Sequence, residues 1–460
     1  MLSWASRFNI CCFLDNHSYQ LPSHSLECLL AAGAIQSIQA SAGNAFDQLK
    51  DFTDGQRDWL FGHFGYGLTK ETEPSGAALQ SSPDAGAAPL LQADPLPQAD
   101  PLLQAAPLSQ ADLIGFPDLF FFVPEIVIEL SAGSIRIGSL QDDHAAILEQ
   151  ISKIKTDVVI DSGDQPSQGP DSGPRSSDGA KPAPPLLQPR FSRDEYLATV
   201  QALRQHILRG DCYEINFCQE FFAHPAPIDP LHTWFSLSRA SPNPFAAFYK
   251  LENSYLLCAS PERYLQRIGN TLLSQPIKGT SPRRQGSQAQ DKAGRDDLYN
   301  SSKDRSENVM VVDLVRNDLS KICLPGSVRV EELYGIYSFP QVYQMISTIK
   351  GELPPGTHWV EAVRATFPMG SMTGAPKRRV VGLIEQYERA PRGIFSGAVG
   401  YVAPDGNFDF NVVIRSLLYN RQNNYLSYLV GSGITYYSDA EKEYEECLWK
   451  AEGIKKALEN

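Results

Sequence analysis

Apolar and polar positions follow two rhythms along the chain, interrupted by two stretches with almost nothing that can pack. The stretch SRDEYLATVQALRQHILRGD carries apolar residues at helical spacing, and Ser192 and Glu195 stand in a capping-box relation, so a helix is predicted there. Beyond it, strand-like runs (EINFCQEFF, FAAFYKL, YLLCAS, GAVGYVA, VVIRSLLY, YLSYLVGSGI) alternate with amphipathic segments up to the C-terminus. Upstream, DLFFFVPEIVIEL, from Asp118 to Leu130, is dense in aromatic and β-branched residues and reads as a buried strand pair interrupted at Pro124. The pattern predicts an α+β architecture of antiparallel sheets packed together with helices outside. It separates a strand-rich N-terminal region, 1–186, from a larger region, 187–460.

The two interruptions fall at about 71–112 and 161–185. The first holds a degenerate six-residue repeat, PLLQAD, PLPQAD, PLLQAA, PLSQAD, from Pro89 to Asp112. Proline at that period denies the segment a helix or a central strand, so it reads as a flexible or polyproline-like insertion. The second, DSGDQPSQGPDSGPRSSDGAKPAPP, is equally poor in packable side chains.

Composition narrows the function classes. With 460 residues, 42% of them hydrophobic, the chain can bury a large core. No stretch approaches the roughly 18 uninterrupted apolar residues of a membrane span, and the opening MLSWASRFNICCFLDNH lacks the layout of a secretion signal, so a cytoplasmic protein is expected. A formal charge of −13 argues against nucleic acid or an anionic membrane as partner, while an anionic small substrate remains open if Lys and Arg gather locally. The eight cysteines form no zinc-like pair and read as small buried hydrophobes. GSMTGAPK does not fit the phosphate-loop spacing, because Arg378 occupies the Ser/Thr position.

Candidate chemistry concentrates in the C-terminal region. Glu262 follows a turn-forming Ser-Pro after one apolar strand and Lys278 follows Pro-Ile after the next, so a hairpin could bring an acid and an amine to one edge. Taken alone, Lys278 reads more readily as a solvated turn lysine, because lysine is rarely buried. In SDAEKEYEECLWK, Ser438 and Glu441 form a capping-box pattern, so a helix is predicted to begin there and run through Lys450. Glu443, Glu446 and Lys450 then share one face, and Asp304 and Glu307 lie one helical turn apart in KDRSENVMVVDL.

CASPERYLQRIGNTLLSQPIKGTSPR, together with VVDLVRNDLSKI, VYQMISTIKG, FPMGSMTGAPKRRV, VVIRSLLY, GSGI and the acidic terminal helix, resembles the chorismate-utilising family, with its anthranilate synthase component I-like fold. That family includes anthranilate, aminodeoxychorismate, isochorismate and salicylate synthases. The resemblance runs from about Phe191 to the end, and more weakly through WLFGHFGYGL and GFPDLFFFVPE. Within the family, the aminodeoxychorismate-forming members carry lysine in the PIKGT run, where anthranilate-forming members carry alanine. The resemblance therefore implies that Lys278 is a nucleophile that adds to C2 of chorismate while the 4-hydroxyl departs, after which ammonia enters at C4 and expels it. A lysine desolvated in a pocket is expected to have a lowered pKa and hence a neutral, reactive amine.

The resemblance also implies Glu262 as the general acid for the departing hydroxyl. It implies Glu307 and Glu446 as magnesium ligands with Asp304 and Glu443 as supporting carboxylates. Substrate contacts fall to Thr280, Arg415, the backbone of Gly431, Ser432 and Gly433, and Lys450. Isochorismate-forming relatives activate water with a lysine that aligns with Glu214, and an acid there cannot do that job. Gln344 stands where many relatives have histidine. No glutaminase signature can be picked out, so ammonia is expected from a separate glutamine amidotransferase subunit. The competing readings are an anthranilate synthase component I and an inactive scaffold for the amidotransferase.

Deleting residues 71–112 is expected to leave cooperative unfolding intact, because surface loops close at modest entropic cost. Denaturant melts of the deletion variant check this, and loss of a cooperative transition would contradict it.

Overall fold

The computed structural model describes residues 1–19, 27–55, 57–74, 112–131, 133–154, 184–283, 288–339 and 342–459. Both polar insertions lie almost wholly outside the described residues. Among those described, no helix is long and apolar enough to cross a membrane.

Strand periodicity builds two facing antiparallel sheets, one of eleven and one of ten strands. In Ile10–Asp15, Cys12 points into the core between the sheets, whereas Cys11 and Phe13 point the other way. Cys28–Ala32 repeats the alternation, with Leu29 and Ala31 inward and Leu30 and Ala32 outward. Between the sheets, Phe61, Phe64, Phe121 and Phe410 meet Tyr249, Leu256 and Cys258. The outer face of the eleven-stranded sheet is covered by helices Arg193–Leu208, Pro230–Ala240 and Ala440–Lys450, through Tyr196, Leu203, Trp234 and Cys447. The predicted α+β sandwich with helices outside is therefore observed. All eight cysteines are free, and all but the half-buried Cys28 are buried.

Strands from both regions enter both sheets. Ile10–Asp15 pairs with Phe245–Leu251 in one, and Leu60–Phe64 pairs with Ala398–Val402 in the other. Pro124 marks a crossover within this arrangement. Leu119–Val123 joins the ten-stranded sheet and Ile126–Ser131 the eleven-stranded one, so the two halves of the aromatic run belong to opposite layers and do not pair with each other. Proline lacks the N–H that a continuous central strand would need at that point.

The helix Arg193–Leu208 has the full capping box, with Ser192 accepting from the Glu195 N–H and Glu195 accepting in return. At the C-terminal helix the cap differs from expectation. Asp439 is the N-cap and accepts from the Lys442 N–H, while the Ser438 hydroxyl accepts from the Thr435 N–H and closes the preceding strand. Either side chain can satisfy an orphan helix donor, and the one the strand leaves free takes the role.

Arg263 is wholly buried and held by Asp409 through two hydrogen bonds, of 3.0 and 2.9 Å, and by Gln275 at 2.6 Å. Asp409→Ala would leave this guanidinium uncompensated in the core. A loss of about 3–5 kcal/mol in unfolding free energy is expected, measured by denaturant titration; a loss below about 1 kcal/mol would contradict the account.

Candidate active site

The chain passes between the two sheets at Pro261–Glu262, between strands Ser254–Ser260 and Arg263–Ile268, and again between Phe408–Asn411 and Ser416–Asn420. The first crossing carries Glu262, and the second carries Arg415 with a left-handed backbone at φ +50°. A non-glycine residue pays strain of order 1 kcal/mol in that region, and the detour turns Arg415 into a cleft of about 440 Å³.

Opposite them, Lys278 sits on Ile277–Pro282, the strand next to Val342–Glu352, where the pairing register shifts between Ile277 and Thr280. That bulge needs Gly279, at φ +92°, because a Cβ there would lie 3.0 Å from the Asp304 side chain. Helix Ser302–Ser320 supplies Asp304 and Glu307 from its first turns, capped by Ser301. Helix Ala440–Lys450 supplies Glu446 and Lys450, and strand Tyr425–Thr435 supplies Gly431 and Gly433.

The cleft lining thus brings together Lys278, Glu262, Thr280, Asp304, Glu307, Arg415, Gly431, Gly433, Glu446 and Lys450. Ser432 and Glu443 stand behind the lining, both buried. The Gly431 carbonyl accepts from Lys450 Nζ at 2.9 Å, and Lys450 also pairs with Glu446 at 2.8 Å. Lys303 lies 3.8 Å from both Glu307 and Glu443. Four cations, Lys278, Lys303, Arg415 and Lys450, therefore gather in one cleft of an acidic protein.

Electrostatics assigns the groups different states. Burial pushes Glu262 up to about 7, opposed by the Ser371 hydroxyl, Lys278, the Ile277 N–H and Arg415. Burial likewise pushes Glu307 up to about 7 against the pull of Lys278 and Lys303. Burial also acts to raise Glu446, but Lys450, Lys303 and Lys278 together outweigh it and leave that carboxyl below its usual range. Lys278 reverses the expectation of a neutral amine. Burial draws its pKa down, yet Glu214, bonded to Nζ at 2.6 Å, together with Glu307 and Glu262, more than offsets this and holds the group above the ordinary lysine range. The ammonium is desolvated, but it is paired.

A family model described as chorismate binding enzyme matches residues 22–456. The chain belongs to the chorismate binding enzyme family. It is 38% identical over 273 residues to aminodeoxychorismate synthase component 1 of Salmonella typhimurium, a match covering 59% of each chain. It is 34% identical over 268 residues to anthranilate synthase component 1 1 of Haloarcula marismortui, covering 58% of this chain and 54% of that one. Among solved structures, anthranilate synthase component I from Streptococcus pneumoniae shares the fold at a TM-score of 0.72 and 22% identity, over 95% of this chain and 93% of that one. The matched segment spans less than two thirds of the Salmonella relative's own length.

The carboxylates Glu307 and Glu446, backed by Asp304 and Glu443, could hold a metal ion only in an open site and not in a closed cage. Among the described residues no cluster of three or more His, Cys, Asp or Glu is drawn together tightly enough to hold a metal. Glu307 Oε1 is buried without a hydrogen-bond partner among the described residues, the condition of a donor that a cation would complete. Magnesium takes one or two carboxylates, keeps waters and binds an anionic substrate group, which this donor set can accommodate.

Several lining residues went unread in the sequence: Lys303, Ser371, Asn216 and Trp449. In the sequence Glu214 stands out only as an acid that cannot activate water, whereas the structure pairs it with Lys278. A signal for Lys303 was available, since it lies one helical turn before Glu307. Gln344, opposite Thr280, is fully buried, and neither its amide oxygen nor its nitrogen has a hydrogen-bond partner among the described residues.

A Cβ at Gly433 would lie 2.6 Å from Glu214 Oε1 and 2.9 Å from Lys278 Nζ. Both are ends of flexible side chains, so Gly433→Ala is expected to keep its cooperative unfolding while displacing the pair. Turnover in the cleft should fall by roughly 100-fold, the usual scale for misplacing a reacting group by about 1 Å. Steady-state kinetics beside a thermal melt checks this, and wild-type turnover would contradict it.

Proposed function

We propose that this protein aminates chorismate, making 4-amino-4-deoxychorismate from chorismate and ammonia that a glutamine amidotransferase subunit supplies, on the route to p-aminobenzoate and folate. It is read as a cytoplasmic enzyme. The observation that carries the reading is the meeting of an amine, Lys278, and a buried acid with a pKa near 7, Glu262, in one cleft rimmed by Arg415 and Lys450. Lysine in the PIKGT run favours amination at C4, and the component 1 name of the Salmonella relative favours a partner subunit.

Two anionic groups of the substrate would meet Arg415, Lys450 and the open edge of Gly431 to Gly433. Lys278 Nζ would bond to C2 as Glu262 protonates the departing 4-hydroxyl, which leaves as water. Ammonia would then bond to C4 and release the lysine, so two allylic displacements replace one difficult substitution. Thr280, on the bulged strand beside Lys278, would border the ring. Glu307 and Glu446, backed by Asp304 and Glu443, would hold magnesium, whose charge would neutralise the ring carboxylate.

The test is to identify the product formed from chorismate, magnesium and ammonium. The expected product is 4-amino-4-deoxychorismate; anthranilate, or no turnover, would overturn the reading. Glu262 must carry its proton to act, so at fixed free ammonia kcat should decline tenfold per unit as pH rises beyond about 7. Glu262→Gln should cost roughly 10²–10⁴ in rate.

A further inference from the structure

The mechanism above leaves one proton unaccounted for. An ammonium has no lone pair, and Lys278 is held as an ammonium by the carboxylate that touches it. Among the described residues that carboxylate is Glu214, at 2.6 Å, and the two side chains are only 12% and 3% exposed. Glu307 and Glu262 act on Lys278 across the cleft without a hydrogen bond to it.

The fold spends several unusual features on placing Glu214. It begins strand Glu214–Ala223 and is paired on both sides, to Thr435 and to Ala375. Gly374, at φ +146°, lets its own strand approach so closely that a Cβ there would sit 2.0 Å from the Glu214 carbonyl oxygen. Gly433 leaves the gap through which the carboxylate reaches the amine. Glu214 Oε2 is buried without a hydrogen-bond partner among the described residues, so protonating this carboxylate breaks no other bond.

We infer that Glu214 is the base that takes the proton from Lys278, so that the two side chains work as one proton-exchanging unit. This rests on the reading of Lys278 as the nucleophile. In a cleft closed by substrate, removing water disfavours both charges at once and brings the neutral pair within reach of the ion pair. The Nζ–H bond breaks and the proton passes to Glu214 Oε1. The freed lone pair forms the N–C2 bond, the C1=C2 electrons move to C1=C6, the C5=C6 electrons move to C4=C5, and the C4–O bond breaks. The hydroxyl leaves as water with the proton of Glu262. When ammonia attacks C4 the electrons return along the same path and the C2–N bond breaks. Lys278 leaves as a neutral amine and recovers its proton from Glu214, and the new C4 ammonium returns a proton to Glu262.

The alternative is a carboxylate that merely holds the amine, and the two differ in sign. Removing a passive counter-charge would free the amine and leave adduct formation unchanged or faster; removing a base slows it. Full-length wild type, Glu214→Gln and Glu214→Asp would be given chorismate and magnesium without ammonia, quenched at intervals from pH 6 to 9, and the Lys278 peptide weighed. Wild type should form the adduct at neutral pH. Glu214→Gln, which keeps a hydrogen-bond acceptor, should form it at least about 100-fold more slowly at pH 7, the lower end of what general-base catalysis supplies. Its rate should rise tenfold per pH unit up to about pH 7, because hydroxide must then remove the proton, and level off above it, where Glu262 loses its own proton and the wild-type rate falls. Glu214→Asp should be slower than wild type but keep the wild-type pH dependence. An adduct rate in Glu214→Gln within threefold of wild type, with an unchanged profile, overturns the inference and leaves the nucleophile reading standing. So does a wild-type rate in Glu214→Asp, which decides the matter if the glutamine variant does not fold. Aminated product from a wild-type protein whose Lys278 never gains mass overturns both.

Discussion

A charged amine kept out of water must be balanced where it sits, and this constraint organises the site. Lys278 arrives on a bulged strand of one sheet, and its partner Glu214 arrives on a strand of the other, between two close neighbours. The pair therefore exists only when both sheets are in register, so the sandwich as a whole fixes the position of one nitrogen atom. Three glycines make the approach possible: Gly279 lets the bulge pass Asp304, Gly374 lets two backbones nearly touch, and Gly433 clears the gap between carboxylate and amine. Breaking such a buried pair by removing one partner is costly, because the remaining charge has nowhere to go.

The same balance sets the charge of the cleft within a protein of net charge −13. The cleft concentrates four cations against five carboxylates that line or reach it: Glu214, Glu262, Asp304, Glu307 and Glu446. Two of those, Glu262 and Glu307, are pushed to about 7 by burial and so carry much less than full charge at neutral pH. Four cations against five carboxylates, two of them partly protonated at neutral pH, leave the cleft close to neutral in an acidic protein. Burial supplies the acid and this relief of negative charge together.

Much of the fold could be read from the sequence, because its signals are local. The Ser192–Glu195 box, the alternation in Cys28–Ala32 and the one-turn spacing of Asp304 and Glu307 each depend on residues a few positions apart. Where reading failed, the deciding partner was distant. Pro124 marks an interruption in the sequence, but only the tertiary arrangement sends its flanking strands to different sheets. Ser438 lost the helix cap because the end of a strand claimed its hydroxyl. The sequence motif points to Lys278, yet its charge state depends on Glu214, 64 positions away and on another sheet. No periodicity in the sequence encodes that meeting.

The central claim is that Lys278 is an ammonium in the free protein despite its burial. Competitive acetylation with a small anhydride across a pH series, with the modified Lys278 peptide quantified against exposed lysines, measures its ionisation directly. The account predicts that Lys278 becomes reactive only at a pH above the ordinary lysine value of about 10.4, and that Glu214→Gln moves this onset downward. An onset well below that value in the wild-type protein would mean that desolvation outweighs the carboxylates, and would contradict the account.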